Sequence, residues 1–140
     1  FEDQIARNHM LFETRNIVVD LQCAEDMHWY FDTDLVGGVV HNVLINCARY
    51  TKTQLQVTAE MCDQVLCISI ADDGDGYPEA MLGEPVKPSS SDGFSSGSTN
   101  LGLFFANEVA KLHCQHGVCG RIELQNNGPL GGGVFKLYLP

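Results

Sequence analysis

Positive charge is scarce in this sequence of 140 residues, which has 8 lysine and arginine residues against 18 aspartate and glutamate residues. The formal net charge of −10 argues against general binding to nucleic acid or to an anionic membrane, because both require a basic surface. No apolar run approaches the roughly 20 residues that span a bilayer, and no basic segment with an apolar leader opens the chain. We therefore expect a soluble cytoplasmic domain with no nucleic-acid partner and no direct membrane contact.

Disulfide bonds are not expected either, although the sequence has 6 cysteines. These lie mostly in apolar runs, and a chain with 44% hydrophobic residues can form a core without covalent cross-links. A zinc site at His113, Cys114, His116 and Cys119 is disfavoured, because the spacing matches no common zinc finger. With no internal repeat or change of composition, residues 1–140 are predicted to form one domain with reduced thiols. Since no methionine begins it, we expect it to be part of a longer protein.

The pattern of apolar residues predicts an α+β domain. The segments 54–59 and 64–71 alternate in hydrophobicity and flank a polar turn, which is typical of an antiparallel hairpin. By the same criteria we expect further strands at residues 16–21, 29–31, 120–124 and 133–139, and helices at residues 1–15, 34–51 and 100–113.

The predicted helix at residues 34–51 has an apolar stripe and a separate polar side. At 3.6 residues per turn, Val36, Val40, Val43 and Cys47 share the stripe that would face the core. The polar side is about a third of a turn away and therefore must meet a polar group or ligand; its members are Asn42, Asn46 and Arg49.

A second group of candidate residues follows the second strand of the hairpin. Side-chain parity places Asp72 on the same face as the apolar residues before it, so its carboxylate is expected to face the buried layer. The next residues include Gly74 and Gly76, which allow a ligand to approach the backbone closely. Residues 84–99 are rich in serine, glycine and proline and are predicted to be a mobile loop.

A magnesium nucleotide would account for these features together. An asparagine oxygen is a hard ligand suited to Mg²⁺, which is usually held by few protein groups and the substrate phosphates. A buried carboxylate accepts a hydrogen bond from the amino group of adenine and repels the carbonyl group of guanine. Phosphate charge would be neutralised by Arg49 and by backbone amides at the start of the last helix, near Gly97 and Gly102.

Four motifs resemble the catalytic ATP-binding domain of bacterial sensor histidine kinases, which belongs to a fold family shared with gyrase, the Hsp90 chaperones and MutL. HNVLINCARYT at residues 41–51 resembles the N box, and DDGDGYP at residues 72–78 resembles the first glycine box. GSTNLGLFFANEVAKLH at residues 97–113 resembles the second glycine box, and GGGVFKLYLP at residues 131–140 resembles the closing signature. Their order and spacing agree with the family over almost the whole chain.

This resemblance implies a fold and a set of ligands. The fold would be a two-layer α/β sandwich, in which a mixed sheet of about five strands has three helices on one face and a flexible ATP lid. Residues 1–15 would be the end of a linker from a dimerisation and phosphoacceptor hairpin. The ligands would be ATP and Mg²⁺, and the partners would be that hairpin and a downstream response regulator. The domain would transfer the γ-phosphoryl group to a histidine of the hairpin.

The resemblance also assigns roles to individual residues. Asn46 would hold Mg²⁺ with help from Asn42, and Arg49 would act with them in catalysis. Asp72 would bind the adenine amino group. The other nucleotide-binding residues would be Tyr50, Gly74, Gly76, Gly97, Thr99, Gly102 and Leu103.

Two departures from the family pattern bear on function. Asn100 replaces the middle glycine of the second glycine box, which leaves open a degenerate domain that docks a partner kinase. Asn42 stands where gyrase and Hsp90 carry a glutamate that activates water, and an asparagine cannot accept the proton. This favours transfer of the phosphoryl group to a protein group over hydrolysis. A serine kinase of the anti-sigma type, which has the same fold, remains a further alternative. None of the 5 histidines has the context of the family's phosphoacceptor.

Overall fold

The protein is described by a computed structural model that covers residues 1–82 and 97–140, with side chains from residue 101 onward in the second segment. The helices are α1 (Glu2–Arg7), α2 (His9–Thr14), α3 (Thr33–Tyr50) and α4 (Gly97–Leu112), with a short 3-10 helix at Glu79–Met81. The strands are β1 (Val18–Cys23), β2 (Gln54–Cys62), β3 (Val65–Asp72), β4 (Cys114–Gln115), β5 (Val118–Cys119), β6 (Arg121–Gln125) and β7 (Val134–Leu139).

A mixed five-stranded sheet in the order β1-β2-β3-β7-β6 forms one layer of the fold. β1 is parallel to β2, and the other neighbouring pairs are antiparallel. The predicted hairpin is confirmed, with Cys62 opposite Val65. Its turn residues Asp63 and Gln64 have φ angles of 50° and 65°, which match the tight turns that favour the twist of paired strands.

The core lies between one face of this sheet and the helices. Residues on alternate positions of β2, β3 and β7 are buried on that face, as expected for strands with a period of two. They pack with apolar residues of α3 and α4 in a single cluster, and the fold is therefore the predicted α+β sandwich; the sheet residues are Leu55, Val57, Ala59, Leu66, Ile68, Ile70, Phe135, Leu137 and Leu139.

α3 is the helix on which the N box was predicted. It is capped by Asp32, whose Oδ1 accepts hydrogen bonds from the backbone N–H groups of Asp34 and Leu35, each at 3.0 Å. The four residues of the predicted apolar stripe are all buried, and this leaves the polar side of the helix facing away from the core.

Two local predictions are wrong. The helix expected over residues 1–15 is interrupted at Asn8, whose buried side chain donates to Gln4 O at 2.7 Å and contacts His41 Nδ1 at 3.1 Å. The strand expected at residues 29–31 is absent from the described structure, and Tyr30 is 97% exposed. Three residues are too few to form a strand without a neighbour, and no described strand pairs with this segment.

The expectation of reduced thiols is wrong for one pair of cysteines. Cys114 and Cys119 form a disulfide, with Cα atoms 4.0 Å apart across the β4–β5 hairpin. The turn at His116 and Gly117, both with positive φ, places the two cysteines opposite each other. Such a hairpin depends on backbone pairing, which cysteine spacing alone does not reveal.

The predicted mobile loop at residues 84–99 lies mainly outside the described residues and stays a prediction. Its last residues belong to α4, which begins at Gly97 and so earlier than expected. No helix of the described chain combines the length and apolar character needed to cross a membrane.

Candidate functional site

Two neighbouring cavities meet at α3. The inner cavity has a volume of about 220 Å³ and lies between α3, the end of β3 and the loop that follows it. Its lining is mostly apolar, with few polar groups, which is the usual character of a small-molecule site. The lining residues are Val43, Asn46, Cys47, Tyr50, Asp72, Gly76, Tyr77, Pro78, Met81 and Leu103.

Asp72 is the buried carboxylate of the inner cavity. It is only 6% exposed, and its Oδ1 accepts hydrogen bonds from Gly74 N at 2.8 Å and Gly133 N at 3.2 Å. Among the described residues, none donates to Oδ2. Because Asp72 lines the inner cavity, Oδ2 is suited to accept a hydrogen bond from a ligand there.

The closing glycine cluster packs directly on this carboxylate. A Cβ atom on Gly132 would lie 2.5 Å from Asp72 O and 2.6 Å from Gly74 N, so that no larger residue fits without moving the backbone. Gly132 N also donates to Asp72 O at 3.1 Å. The sequence motif at residues 131–140 therefore contributes to the site by allowing β7 to approach Asp72 closely.

Tyr77 and Cys47 form apolar walls of the inner cavity. Burial raises the pKa of the Tyr77 phenol well above its usual value, with smaller effects from Cys47 and the Asp72 carboxylate. Burial likewise raises the pKa of the Cys47 thiol, and the nearby Asp72 adds to the effect. Both side chains are therefore neutral at physiological pH and act as packing surfaces beside Asp72.

The outer cavity has a volume of about 590 Å³ and lies between the polar side of α3 and the first turns of α4. It brings together the three residues predicted to share one helix side, Asn42, Asn46 and Arg49. Asn46 also lines the inner cavity and thus connects the two. A Cβ atom on Gly102 would lie 3.3 Å from Asn46 Nδ2, so the glycine keeps α4 close to this amide.

Asp73 fixes the start of the loop from the side opposite β7. Its carboxylate accepts hydrogen bonds from Lys52 N at 2.9 Å and from Thr53 N at 3.0 Å, and the Thr53 hydroxyl donates at 2.6 Å. Although partial burial raises the pKa of Asp73, these hydrogen bonds together lower it to about 2. The loop is therefore anchored to the turn between α3 and β2 by a carboxylate that is ionised at neutral pH.

The structure places most of the predicted site residues around these two cavities. Asn46, Tyr50, Asp72, Gly76 and Leu103 line the inner one, and Asn42, Arg49 and Gly102 join Asn46 at the outer one. Gly74 is buried against Asp72 and Tyr50 O, where a Cβ atom would lie 2.5 Å from that oxygen. Gly97 and Thr99 lie in the first turn of α4, and the structure does not describe the Thr99 side chain.

Sequence reasoning assigned no role to several residues that shape the site. Tyr77 and Gly132 lie within quoted motifs, but only the structure places their atoms against Asp72 or its cavity. Asp73 was recognisable as an extra acid in the first glycine box, whereas Asn126 lies in a turn between strands and carried no signal. Its contact with Tyr77 joins segments 49 residues apart in the chain.

Comparisons with known proteins identify the family of this chain. A family described as "Histidine kinase-, DNA gyrase B-, and HSP90-like ATPase" matches residues 31–140. The signal transduction histidine-protein kinase AfsQ2 of Streptomyces coelicolor is 32% identical over 126 residues, which are 87% of this chain and 22% of that protein. The chain thus spans about a fifth of the length of this curated relative.

Solved structures show the same fold. The catalytic domain of the histidine kinase ThkA in a nucleotide-free form superposes with a TM-score of 0.80 at 20% identity, over 99% of this chain and 89% of that one. Full-length ShkA in complex with AMPPNP superposes with a TM-score of 0.78 at 17% identity, over 99% of this chain and 28% of that one. Since the family match covers most of the sequence, this chain belongs to the histidine kinase-, DNA gyrase B- and HSP90-like ATPase family.

Proposed function

We propose that this chain is the catalytic domain of a sensor histidine kinase, which binds Mg-ATP and transfers the γ-phosphoryl group to a histidine of a separate acceptor domain. The observation that carries the proposal is the buried Asp72 carboxylate at the end of β3, beside a small, mostly apolar cavity. The ShkA structure, which has the same fold, is a complex with AMPPNP, and this supports a nucleotide as the ligand.

Asp72 is proposed to select adenine. Oδ1 is already satisfied by two backbone N–H groups, so Oδ2 is the oxygen available to accept from the adenine amino group. A guanine base would place a carbonyl oxygen there and leave two acceptors facing each other, which costs far more than the loss of one contact. The neutral walls at Cys47 and Tyr77 would pack against the base.

The outer cavity is proposed to hold the phosphates and the metal. Asn42 and Asn46 present amide oxygens, and Arg49 contributes a cation in a domain whose net charge is −10. The described residues contain no cluster of three or more His, Cys, Asp or Glu side chains, so a metal there would depend mainly on amide oxygens, water and phosphate, with the Glu108 carboxylate also on the cavity lining. This set fits Mg²⁺, which would neutralise phosphate charge when bound.

Asn42 bears on the fate of the phosphoryl group. An amide cannot take a proton from water, so the chain's own N box lacks a general base at this position. We therefore propose an external histidine as the acceptor, supplied by a dimerisation and phosphoacceptor domain, with a response regulator downstream. Binding of both partners is proposed for the whole protein.

The proposal is tested by calorimetric titration of the domain with AMPPNP and with a guanine analogue, with and without Mg²⁺. Asp72→Asn should weaken AMPPNP binding by at least about tenfold and reduce the preference for adenine, because the amide can face either base. Asn46→Ala should remove most of the gain that Mg²⁺ provides.

Asp75→Asn is the matched control, because it removes the same charge from an exposed side chain in the same loop. It should bind like the wild type. Unchanged AMPPNP affinity in both Asp72→Asn and Asn46→Ala would reject the site assignment. A wild-type domain that binds no nucleotide at millimolar concentration would instead favour a degenerate docking module.

A further inference from the structure

The side-chain amide of Asn126 forms two hydrogen bonds with the backbone of a single residue in the loop beside the inner cavity. Its Oδ1 accepts from Tyr77 N at 2.7 Å, and its Nδ2 donates to Tyr77 O at 2.8 Å. This reciprocal pattern fixes the orientation of the amide, since exchanging its oxygen and nitrogen would oppose two donors and two acceptors. The Asn126 side chain therefore pairs with the Tyr77 backbone in the way that the backbone of a neighbouring strand would.

The neighbouring residue is shaped to allow this contact. Gly76 has a φ of +82°, and a Cβ atom there would lie 2.5 Å from Asn126 Oδ1. Any other residue at position 76 would both strain the backbone and displace the amide. Gly76 is thus required by the fold for a reason beyond the approach of a ligand.

The Tyr77 ring extends from the tethered backbone into the site. It lines the inner cavity together with Asp72, and its Cε2 atom is 2.9 Å from the position of a Cβ atom on Gly133. The ring is therefore confined on one side by β7, while its backbone is held by Asn126 at the end of β6. Asp72 and Asp73 anchor only the beginning of this loop.

We propose that Asn126 is a positioning residue that sets the affinity of the site for the base of a nucleotide by holding Tyr77 as its wall. This rests on the proposed nucleotide-binding function. Asn126 does not touch the proposed position of the phosphates at the outer cavity, so its contribution is specific to the base.

The test compares two variants, Asn126→Ala and Gln125→Ala. Gln125 is the neighbouring residue, and its side-chain amide donates to Glu123 Oε1 and not to the loop. Asn126→Ala should weaken AMPPNP binding about 5- to 20-fold, as expected for two lost hydrogen bonds that hold a wall in place. Gln125→Ala should bind like the wild type. Tripolyphosphate, which has no base, should bind both variants with unchanged affinity.

Asn126→Asp supplies a readout that a merely structural role would not change. Its carboxylate still accepts from Tyr77 N but repels Tyr77 O, whereas the protonated carboxyl group can donate to that oxygen. The affinity of Asn126→Asp relative to the wild type should therefore recover as the pH falls from about 7 to about 4. Absence of any recovery would contradict the proposed pairing.

Amide hydrogen exchange at Tyr77 tests the tether without a nucleotide. Asn126→Ala should lose protection at the Tyr77 amide, while Gln125→Ala keeps it. Unchanged protection, or unchanged AMPPNP affinity in a folded Asn126→Ala domain, would overturn the assignment of Asn126. A wild-type domain that binds neither AMPPNP nor tripolyphosphate would overturn the proposed function instead, even where the exchange data establish the tether.

Discussion

At the scale of single residues, the site depends on the hydrogen-bond partners of the Asp72 carboxylate. Asp72 has one oxygen saturated by Gly74 and Gly133 and one that receives no donor from the described residues. The glycines around it are needed because β7 and the loop after β3 both approach the carboxylate within a side chain's width. Adding even one methyl group at these glycines should therefore weaken ligand binding.

Gly132→Ala should abolish nucleotide binding and destabilise the domain by about 1 to 3 kcal/mol, the usual cost of forcing a methyl group into packed structure. The added Cβ would meet the backbone of Asp72 and Gly74, which cannot rotate away. Thermal unfolding and AMPPNP titration measure the two effects.

Gly131→Asn is the matched control, because no atom lies within 4 Å of a Cβ on Gly131. Its φ of +90° is tolerated better by asparagine than by most other residues. If Gly132→Ala bound AMPPNP as well as Gly131→Asn, the close approach of β7 to Asp72 would have no functional role.

At the scale of elements, the loop after β3 is fixed by three different neighbours. Asp73 ties it to the turn between α3 and β2, Asp72 ties it to β7, and Asn126 ties it to the end of β6. Each tie uses a side chain to satisfy backbone groups of another segment, as is usual where loops carry function on a rigid scaffold. The inner cavity is therefore formed by the meeting of elements and not by any one of them.

Asp73→Asn should remove about 1 kcal/mol of stability at neutral pH, a value reduced for partial solvent exposure. The pKa of Asp73 is about 2 in the folded state against 3.8 for the free group, so its contribution is complete above about pH 4. It is lost as the pH falls from about 4 toward 2, and the stability difference between wild type and variant should therefore shrink over that range.

Urea unfolding at several pH values measures this difference. Asp75→Asn serves as the control, because the Asp75 side chain is 93% exposed and its ion pair with Lys52 should contribute little. A difference between Asp73→Asn and the wild type that stayed constant down to pH 2 would contradict the proposed role of the carboxylate.

At the scale of the whole molecule, the described structure supplies a candidate nucleotide site but no histidine placed as an acceptor beside it. His41 contacts the buried Asn8 side chain, and His113 accepts from Asp32 N at 3.1 Å while its other ring nitrogen contacts Val109 O at 2.8 Å. Both rings therefore have structural partners. No histidine lines either cavity of the described site.

The isolated 140-residue domain should accordingly bind ATP labelled on the γ-phosphate without becoming labelled itself. Addition of a purified phosphoacceptor hairpin, the partner proposed above, should produce acid-labile, alkali-stable label on the hairpin alone. The double variant His41→Gln and His113→Gln should behave like the wild type in this assay. Acid-labile label on the isolated domain, lost in that double variant, would place an acceptor within this chain.

The local pattern of the sequence was sufficient for the elements that carry the site. Apolar spacing placed α3 to within one residue at each end, and strand alternation gave the β2–β3 hairpin and the inward orientation of Asp72. These features depend on a period of 3.6 or 2 residues, which is written directly in the chain. The predicted strand at residues 29–31 was wrong because a segment of three apolar residues is too short to show either period.

The sequence by itself determined which residues have the chemistry of a nucleotide site: Asp72, Asn42, Asn46, Arg49 and the glycines of three motifs. Tertiary structure alone decided how these residues meet. The Asn126 tether joins positions 49 residues apart, Gly132 reaches Asp72 from another strand, and Cys114 meets Cys119 only through a paired hairpin. Such contacts depend on the register and packing of distant segments, which no local pattern contains.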